Sequence, residues 1–335
     1  MSFITFGETM LRLAPVEPGT KLSRAMIFKV DYAGSESNVA ASLAILGNKT
    51  RFVSKIPLNP IGDGAIHALR SYGIDTTFVK RGGDRLGTYF IEQGTSIRPS
   101  RVVYDRQHAA FSEIRADEFN WEQILMGQSW VFVSGITPAL SDACAQAVIA
   151  LVTSAQKVGV KVAFDLNYRR SLWSDPLKAR AIFNRILEKT DLLFGNVGAL
   201  YDVYGMTFQG DDLQVQTYAA MEAAKTTFGV NQLAFTIRKH YSASSNWLGA
   251  ALLTEDGLFM ATDYHVAITD RLGTGDAFAA GLLHALQKDW SAQKKVSFAC
   301  AAFALKHTMS GDQHTSSEQE ILSIMEGDTS GHIIR

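Results

Sequence analysis

Apolar residues fall along this chain in two alternating rhythms. Runs of strand length, SFITFGE at the start and later SWVFVSG, GVKVAFDLN, TDLLFGN and NQLAFTIR, are almost wholly apolar, as strands buried on both faces are. Between them apolar positions recur at helical spacing. ALSDACAQAVIALVTSAQKVG has Ser141 placed to cap its start and Gly159 to stop it. SDPLKARAIFNRILEKTD opens on Ser174, Asp175 and Pro176, with the proline tolerated in a first turn. Buried strands alternating with amphipathic helices predict an α/β fold, a mostly parallel sheet with helices on each face. The strands run into polar residues at their carboxyl ends: Asp165 and Asn167, Asn196, Thr236 and Arg238. Ligands of open α/β sheets bind outside those ends, so the site is expected there.

Two regions break the rhythm. Residues 8–33 and 81–106 are rich in Gly, Arg and alternating apolar residues, as in LGTYFIEQG and SRVVYDR. They read as short antiparallel strands, too few for a core of their own. A small β-sheet lid on a single domain spanning 1–335 fits them better than a second domain. No internal repeat or low-complexity linker interrupts the chain, and the polar residues 327–335 read as a frayed tail.

Composition narrows the function classes. Of 335 residues 47% are hydrophobic and 19% charged, and the formal net charge is −1 with no basic run. That argues against nucleic acid or a membrane surface as partner. No apolar run reaches membrane-spanning length and the first residues carry no secretory pattern, so a cytoplasmic location is expected. The two cysteines, Cys144 and Cys300, lie in alanine-rich helical stretches and read as buried free thiols. His307 and His314 have no zinc-ligand spacing and read as helix-end histidines.

Candidate chemistry concentrates in DRLGTGDAF, residues 270–278. The preceding TDYHVAIT alternates as a strand, and the following DAFAAGLLHALQK has helical spacing, so the glycines sit at a strand-to-helix junction. Free amides and the positive end of a helix dipole make an anion site there. Asp276 in the first turn reads either as an ordinary capping carboxylate or as a base taking a hydroxyl proton beside a moving phosphoryl group. A second stretch, YAGSESNVAASLAILG at 32–47, is a Gly-Ser turn, Asn38 and a helix of small residues.

The two stretches together resemble the paired signatures of the PfkB (ribokinase-like) carbohydrate kinases. The first signature is matched by Ala33, Gly34, Asn38, Gly47 and the later Gly62, Asp63 and Gly64; the second by Asp270, Gly273, Gly275, Asp276 and Phe278. The resemblance covers essentially the whole chain. It implies a ribokinase-like fold and transfer of phosphate from ATP, with Mg2+, to a hydroxyl. It also implies Asp276 as the base and the amides of Gly273, Thr274 and Gly275 as the anion hole. Asn167, Asn196, Thr236 and Arg238, with the turn, would face the nucleotide. No GxxxxGK[ST] loop is present.

Within the family, three further segments resemble 2-keto-3-deoxygluconate kinases. RLGTYFIEQGTSIRPSRVVYDR carries Tyr89, Arg98, Tyr104 and Arg106; FDLNYRRSLW carries Asp165, Asn167, Arg169 and Trp173; KHTMSGD carries Lys306, Gly311 and Asp312. Gly34, Asn38, Tyr89, Tyr104, Arg106, Arg169 and Asp312 would then line a sugar-acid pocket. A 2-keto acid brings a carboxylate, which arginine forks recognise, and Arg106 and Arg169 are placed to converge on it. The tyrosines read equally as lid-core residues with hydroxyls in water.

The pattern departs from the superfamily in one place. FGNVGALYDV keeps Asn196 but has Ala199 where an Asn-x-x-Glu motif has its glutamate, so no protein ligand for magnesium is assigned. The leading reading is an ATP-dependent kinase acting on the C6 hydroxyl of 2-keto-3-deoxygluconate. The alternatives are a PfkB-type kinase for another sugar, such as fructose or a related keto-deoxy sugar acid, and a non-catalytic ligand sensor. A dinucleotide oxidoreductase is disfavoured, since the opening strand leads into GETMLRL instead of GxGxxG. Free edges on the lid point to a homodimer.

Overall fold

The computed structural model describes residues 1–329. Its larger sheet holds ten strands: β1 (Ser2–Phe6), β4 (Lys49–Ile56), β5 (Val79–Arg81), β8 (Trp130–Ser134), β9 (Lys161–Asp165), β10 (Leu192–Gly195), β11 (Gln232–Ser242), β12 (Ser245–Thr254), β13 (Gly257–Met260) and β14 (Tyr264–Ala267). The smaller sheet holds β2 (Met10–Pro15), β3 (Phe28–Ala33), β6 (Thr88–Glu92) and β7 (Arg101–Asp105). The helices are α1 (Ser35–Ile45), α2 (Pro60–Ser71), α3 (Trp121–Leu125), α4 (Asp142–Lys157), α5 (Pro176–Leu187), α6 (Val197–Tyr204), α7 (Leu213–Phe228), α8 (Thr274–Ala285), α9 (Ala292–His307) and α10 (Glu318–Met325).

The apolar runs form the centre of the large sheet, in the order β13-β12-β11-β10-β9-β8-β1-β4-β5 with β14 on β12. From β11 to β5 every pairing is parallel; β12, β13 and β14 add an antiparallel edge. The central strands β8 and β10 are buried at every position because both faces are covered. In β8, Val131 and Val133 enter the core shared with α4 and α5, while Trp130 and Phe132 enter the one shared with α1, α8 and α9. Cys144 and Cys300 are buried free thiols on α4 and α9, as expected.

β1 is the point from which the chain departs in both directions, to β4 on one side and β8 on the other. A crevice opens at the carboxyl ends of such a pair of strands. Gly34 bridges from the lid into that crevice. Its backbone is extended, but a Cβ there would lie 2.0 Å from the Glu8 carbonyl oxygen, so only glycine lets the two chains pass.

The lid differs from its expected form in one respect. Its order is β3-β2-β6-β7, and the central pair β2 and β6 runs parallel; only β2–β3 and β6–β7 are antiparallel. Between β2 and β6 the chain visits the large sheet through β4 and β5, and it returns to the lid in its original direction. The register sets Asp31, Arg12, Tyr89 and Tyr104 side by side across the lid. Of the polar tail expected at 327–335, residues 330–335 lie outside the described residues.

Candidate active site

A cavity of about 680 Å³ opens between the lid and the carboxyl ends of the large sheet. The residues expected to face substrate and nucleotide line it, from Gly34 before α1 and Asn38 on α1 to Asp312 beyond α9, whereas Arg98, Trp173, Lys306 and Gly311 of the matched segments are not among its lining residues. That convergence includes Asn167, Asn196, Thr236, Arg238 and residues 273–276.

Asp276 is only 7% exposed and sits at the third position of α8. A carboxylate there can turn back to cap its own helix, but α8 has no side-chain cap. Asp276 reaches across to α1 instead: Oδ1 accepts from Ser35 Oγ at 2.7 Å and Oδ2 from Asn38 Nδ2 at 2.8 Å. Burial pushes its pKa up to about 6; these two hydrogen bonds oppose the rise and the neighbouring Asp165 adds to it. Ser35 Oγ in turn accepts from Asn167 Nδ2 at 3.1 Å. Asn167 takes a left-handed φ of 28°, pinned by its amide to Asp165 Oδ1 at 3.0 Å. Asn167 is thus joined to Asp276 through Ser35.

The amides of Thr274, Gly275 and Asp276 open α8, where no helical carbonyl precedes them. Gly273 sets the turn with φ 70°, and a Cβ there would lie 1.8 Å from the Asp312 carbonyl oxygen. Thr274 Oγ1 donates to the Arg271 carbonyl at 3.2 Å and accepts from Arg238 Nη2 at 3.0 Å. Arg238 lies over the Phe303 ring at 5.2 Å, and its pKa falls to about 10 through burial and then through the nearby Arg271 and Arg169. Thr236 lies two residues earlier on β11. Asn196 is exposed at the cavity, but its side chain caps α6 by accepting from the Ala199 amide at 2.9 Å.

On the lid side two arginines are already paired. Arg12, 1% exposed, binds Asp270 Oδ2 and Asp312 Oδ1, each at 2.7 Å. Tyr89 donates its hydroxyl to Asp312 Oδ2 at 2.8 Å, and burial lifts Asp312 to about 7 although Arg12 pulls it down. Arg106, expected as a free fork for substrate, is engaged by Glu8, whose own pKa burial raises against the pull of Arg106. Arg169 forms no ion pair among the described residues; one of its nitrogens donates to the Tyr168 carbonyl at 3.3 Å. Tyr104 packs beside Tyr89 with ring centres 6.0 Å apart and under the Arg106 guanidinium. Sequence reading missed Glu8, Arg12 and Ser35, because their partners lie in remote parts of the chain.

A model of the pfkB family of carbohydrate kinases matches residues 2–319. This chain belongs to that family. As a PfkB kinase it is 33% identical, over 98% of both chains, to 2-dehydro-3-deoxygalactonokinase of Haloferax volcanii. Its fold superposes with a TM-score of 0.94 on 2-dehydro-3-deoxygluconokinase of Thermotoga maritima, 38% identical over 98% of both chains. 5-Dehydro-2-deoxygluconokinase of Clostridium beijerinckii is 25% identical over 94% of this chain and 90% of its own. The PfkB fold is also that of an E. coli protein described as a ribokinase II, in complex with ATP and Mg2+, at 20% identity and a TM-score of 0.81. The chain is therefore a sugar kinase, and the expected ribokinase-like architecture with its separate small sheet is the one observed.

Proposed function

We propose that this kinase transfers the terminal phosphate of ATP to the C6 hydroxyl of 2-keto-3-deoxygluconate. The observation that carries the reading is the placement of Asp276. It is a buried carboxylate with a pKa raised to about 6, held at both oxygens, one residue from exposed Gly275 in a turn of free amides. A base of this kind is ionised at neutral pH yet still basic enough to take a hydroxyl proton. Asp276 accepts that proton as the oxygen bonds to the terminal phosphorus. The bond from phosphorus to the bridging oxygen breaks, and ADP leaves. The amides at the start of α8 face the negative charge of the transferring group.

The sugar-acid half of the reading is supported by the unpaired charge of Arg169 in the cavity and by the relatives that act on 2-dehydro-3-deoxy sugars. With Arg106 neutralised by Glu8, Arg169 is the one of the two expected arginines left to hold a substrate carboxylate. Tyr89 and Asp312, already bonded to each other, offer oxygen acceptors to sugar hydroxyls. Among the described residues no three His, Cys, Asp or Glu side chains converge as a metal site. Magnesium would thus arrive with ATP, its ligands being phosphate oxygens and water.

ADP release with ATP and magnesium is the test, against 2-keto-3-deoxygluconate, its galactonate epimer, fructose, ribose and adenosine. Turnover is expected on the keto-deoxy acids alone. Arg169→Ala should raise KM for them by roughly 10-fold or more, as for loss of a charge-assisted contact. Turnover on fructose, untouched by Arg169→Ala, would transfer the assignment to a neutral-sugar kinase. Asp276→Asn should lower kcat by about 10²–10⁴-fold while sugar-acid binding persists. Binding without turnover in the unmodified chain would mark it as a sensor.

A further inference from the structure

The charges of the cavity are distributed unequally. Toward the lid, Arg12 and Arg106 are each matched by buried carboxylates. On the other side of the Gly273 turn, Arg238 and Arg271 both line the cavity, and neither has an ion-pair partner among the described residues. They flank one residue: Arg238 donates to the Thr274 hydroxyl, which donates to the Arg271 carbonyl. Arg271 Nη2 lies beside His240, two residues along β11 from Arg238, and its charge helps lower the Arg238 pKa; two unmatched guanidinium groups so placed repel each other, and a folded chain without a ligand gains nothing from holding them so.

The surroundings of Arg271 keep its charge available. Asn246 is fully buried, and its amide is best satisfied with the oxygen facing Arg271 Nη2 at 3.2 Å and the nitrogen facing His240 Nδ1 at 3.2 Å. His240 Nδ1 itself lies 3.2 Å from Arg271 Nη2. Burial, Arg238 and Arg271 push His240 below its ordinary pKa, which leaves a neutral ring able to accept. Arg271 is therefore aimed by one neutral acceptor, the Asn246 oxygen, with the neutral His240 ring beside it, where a carboxylate would have cancelled its charge. Its Nε is buried without a partner.

We propose that Arg271 and Arg238 form a clamp on the phosphate oxygens of the nucleotide, with Asn246 and His240 as positioning residues for Arg271. The clamp rests on the reading that the cavity takes ATP. It adds a pair of side-chain cations to the amides of the turn, one of them contributed from within the glycine motif. Guanidinium forks match phosphate oxygens in geometry as well as charge.

Titration calorimetry with ATP, inorganic tripolyphosphate and 2-keto-3-deoxygluconate tests it. Arg271→Ala should weaken tripolyphosphate by about 10-fold or more and leave the sugar acid within about twofold. Arg271→Lys should recover part of the loss. Asn246→Asp keeps the arginine but gives it a buried carboxylate partner, and should weaken tripolyphosphate as well. Unchanged tripolyphosphate affinity in Arg271→Ala, in a chain that binds ATP, overturns the clamp alone. Loss of sugar-acid affinity in its place overturns the clamp by assigning Arg271 to the substrate carboxylate. An unmodified chain that binds neither ATP nor tripolyphosphate overturns the kinase reading and the clamp together.

Discussion

As the proposed base, Asp276 would depend on small neighbours for its strength. Burial, with Asp165 adding to it, drives its pKa upward, and the bonds from Asn38 and Ser35 hold it back to about 6. With ionised Asp276 as the active form, kcat should fall about tenfold per pH unit below pH 6 and level off above it. Ser35→Ala removes a bond made to the charged form, so its acid limb should move to higher pH, by roughly one unit. A limb that stays in place in that variant would reduce Ser35 to packing. Asp276 was legible in the sequence because it follows a glycine turn at a helix start. Ser35 stood in the quoted YAGSESNVAAS without a signal, since a serine after a glycine is an ordinary helix opening. Arg106 was legible as a site residue, but its engagement by Glu8 was not, because the sequence shows a charge and not its partner.

The helices and strands around the site were predicted well where burial dictated the pattern. Ser141 caps α4 by accepting from Cys144, and Gly159 follows with φ 75°, as the residue types required. Asp175 caps α5 within the expected Ser174-Asp175-Pro176 start. Strand direction in the lid was not legible, because a period of two is the same for parallel and antiparallel neighbours. Gly273 shows how an element and the site share one constraint. Gly273→Ala combines a left-handed φ with a Cβ 1.8 Å from the Asp312 carbonyl, so the start of α8 must shift. kcat should drop by at least about 10²-fold, as for loss of anion-hole alignment, while far-ultraviolet circular dichroism stays unchanged. Full activity in that variant would show that the turn is not the anion hole.

At the scale of the molecule, the carboxylates buried around the crevice give stability a pH dependence of one sign. Glu36 accepts from the Ser134 amide, the Ser134 hydroxyl and the Thr137 hydroxyl, yet burial still raises it from 4.5 to about 7. A raised folded-state pKa means the native chain holds its proton more tightly than the unfolded one. The stability gained from Glu36 is complete below pH 4.5 and is lost as pH rises through about 7. Glu36→Gln should therefore flatten the fall in Tm between pH 5 and 8. A residual slope of the same sign would remain from Asp312 and Asp276, raised to about 7 and about 6. An unchanged Tm profile would show that Glu36 is ionised in the native state at no cost.

The buried guanidinium of Arg12 has a consequence for how the chain comes into being. Its partner Asp270 is 258 positions downstream, and Asp312 is further still. Until Asp270 and Asp312 have been made, the inner face of the lid carries a cation that lacks its two salt-bridge carboxylates, with only Asp31 of β3 beside it in the lid register. Closing that face early would strand the charge, so the lid should stay open on the nascent chain and settle last. Protease added to stalled chains would cut the lid strands until the segment carrying Asp270 and Asp312 has emerged, and would spare them afterwards. Assembly of the cavity thus waits on the segment that carries Asp270 and Asp312.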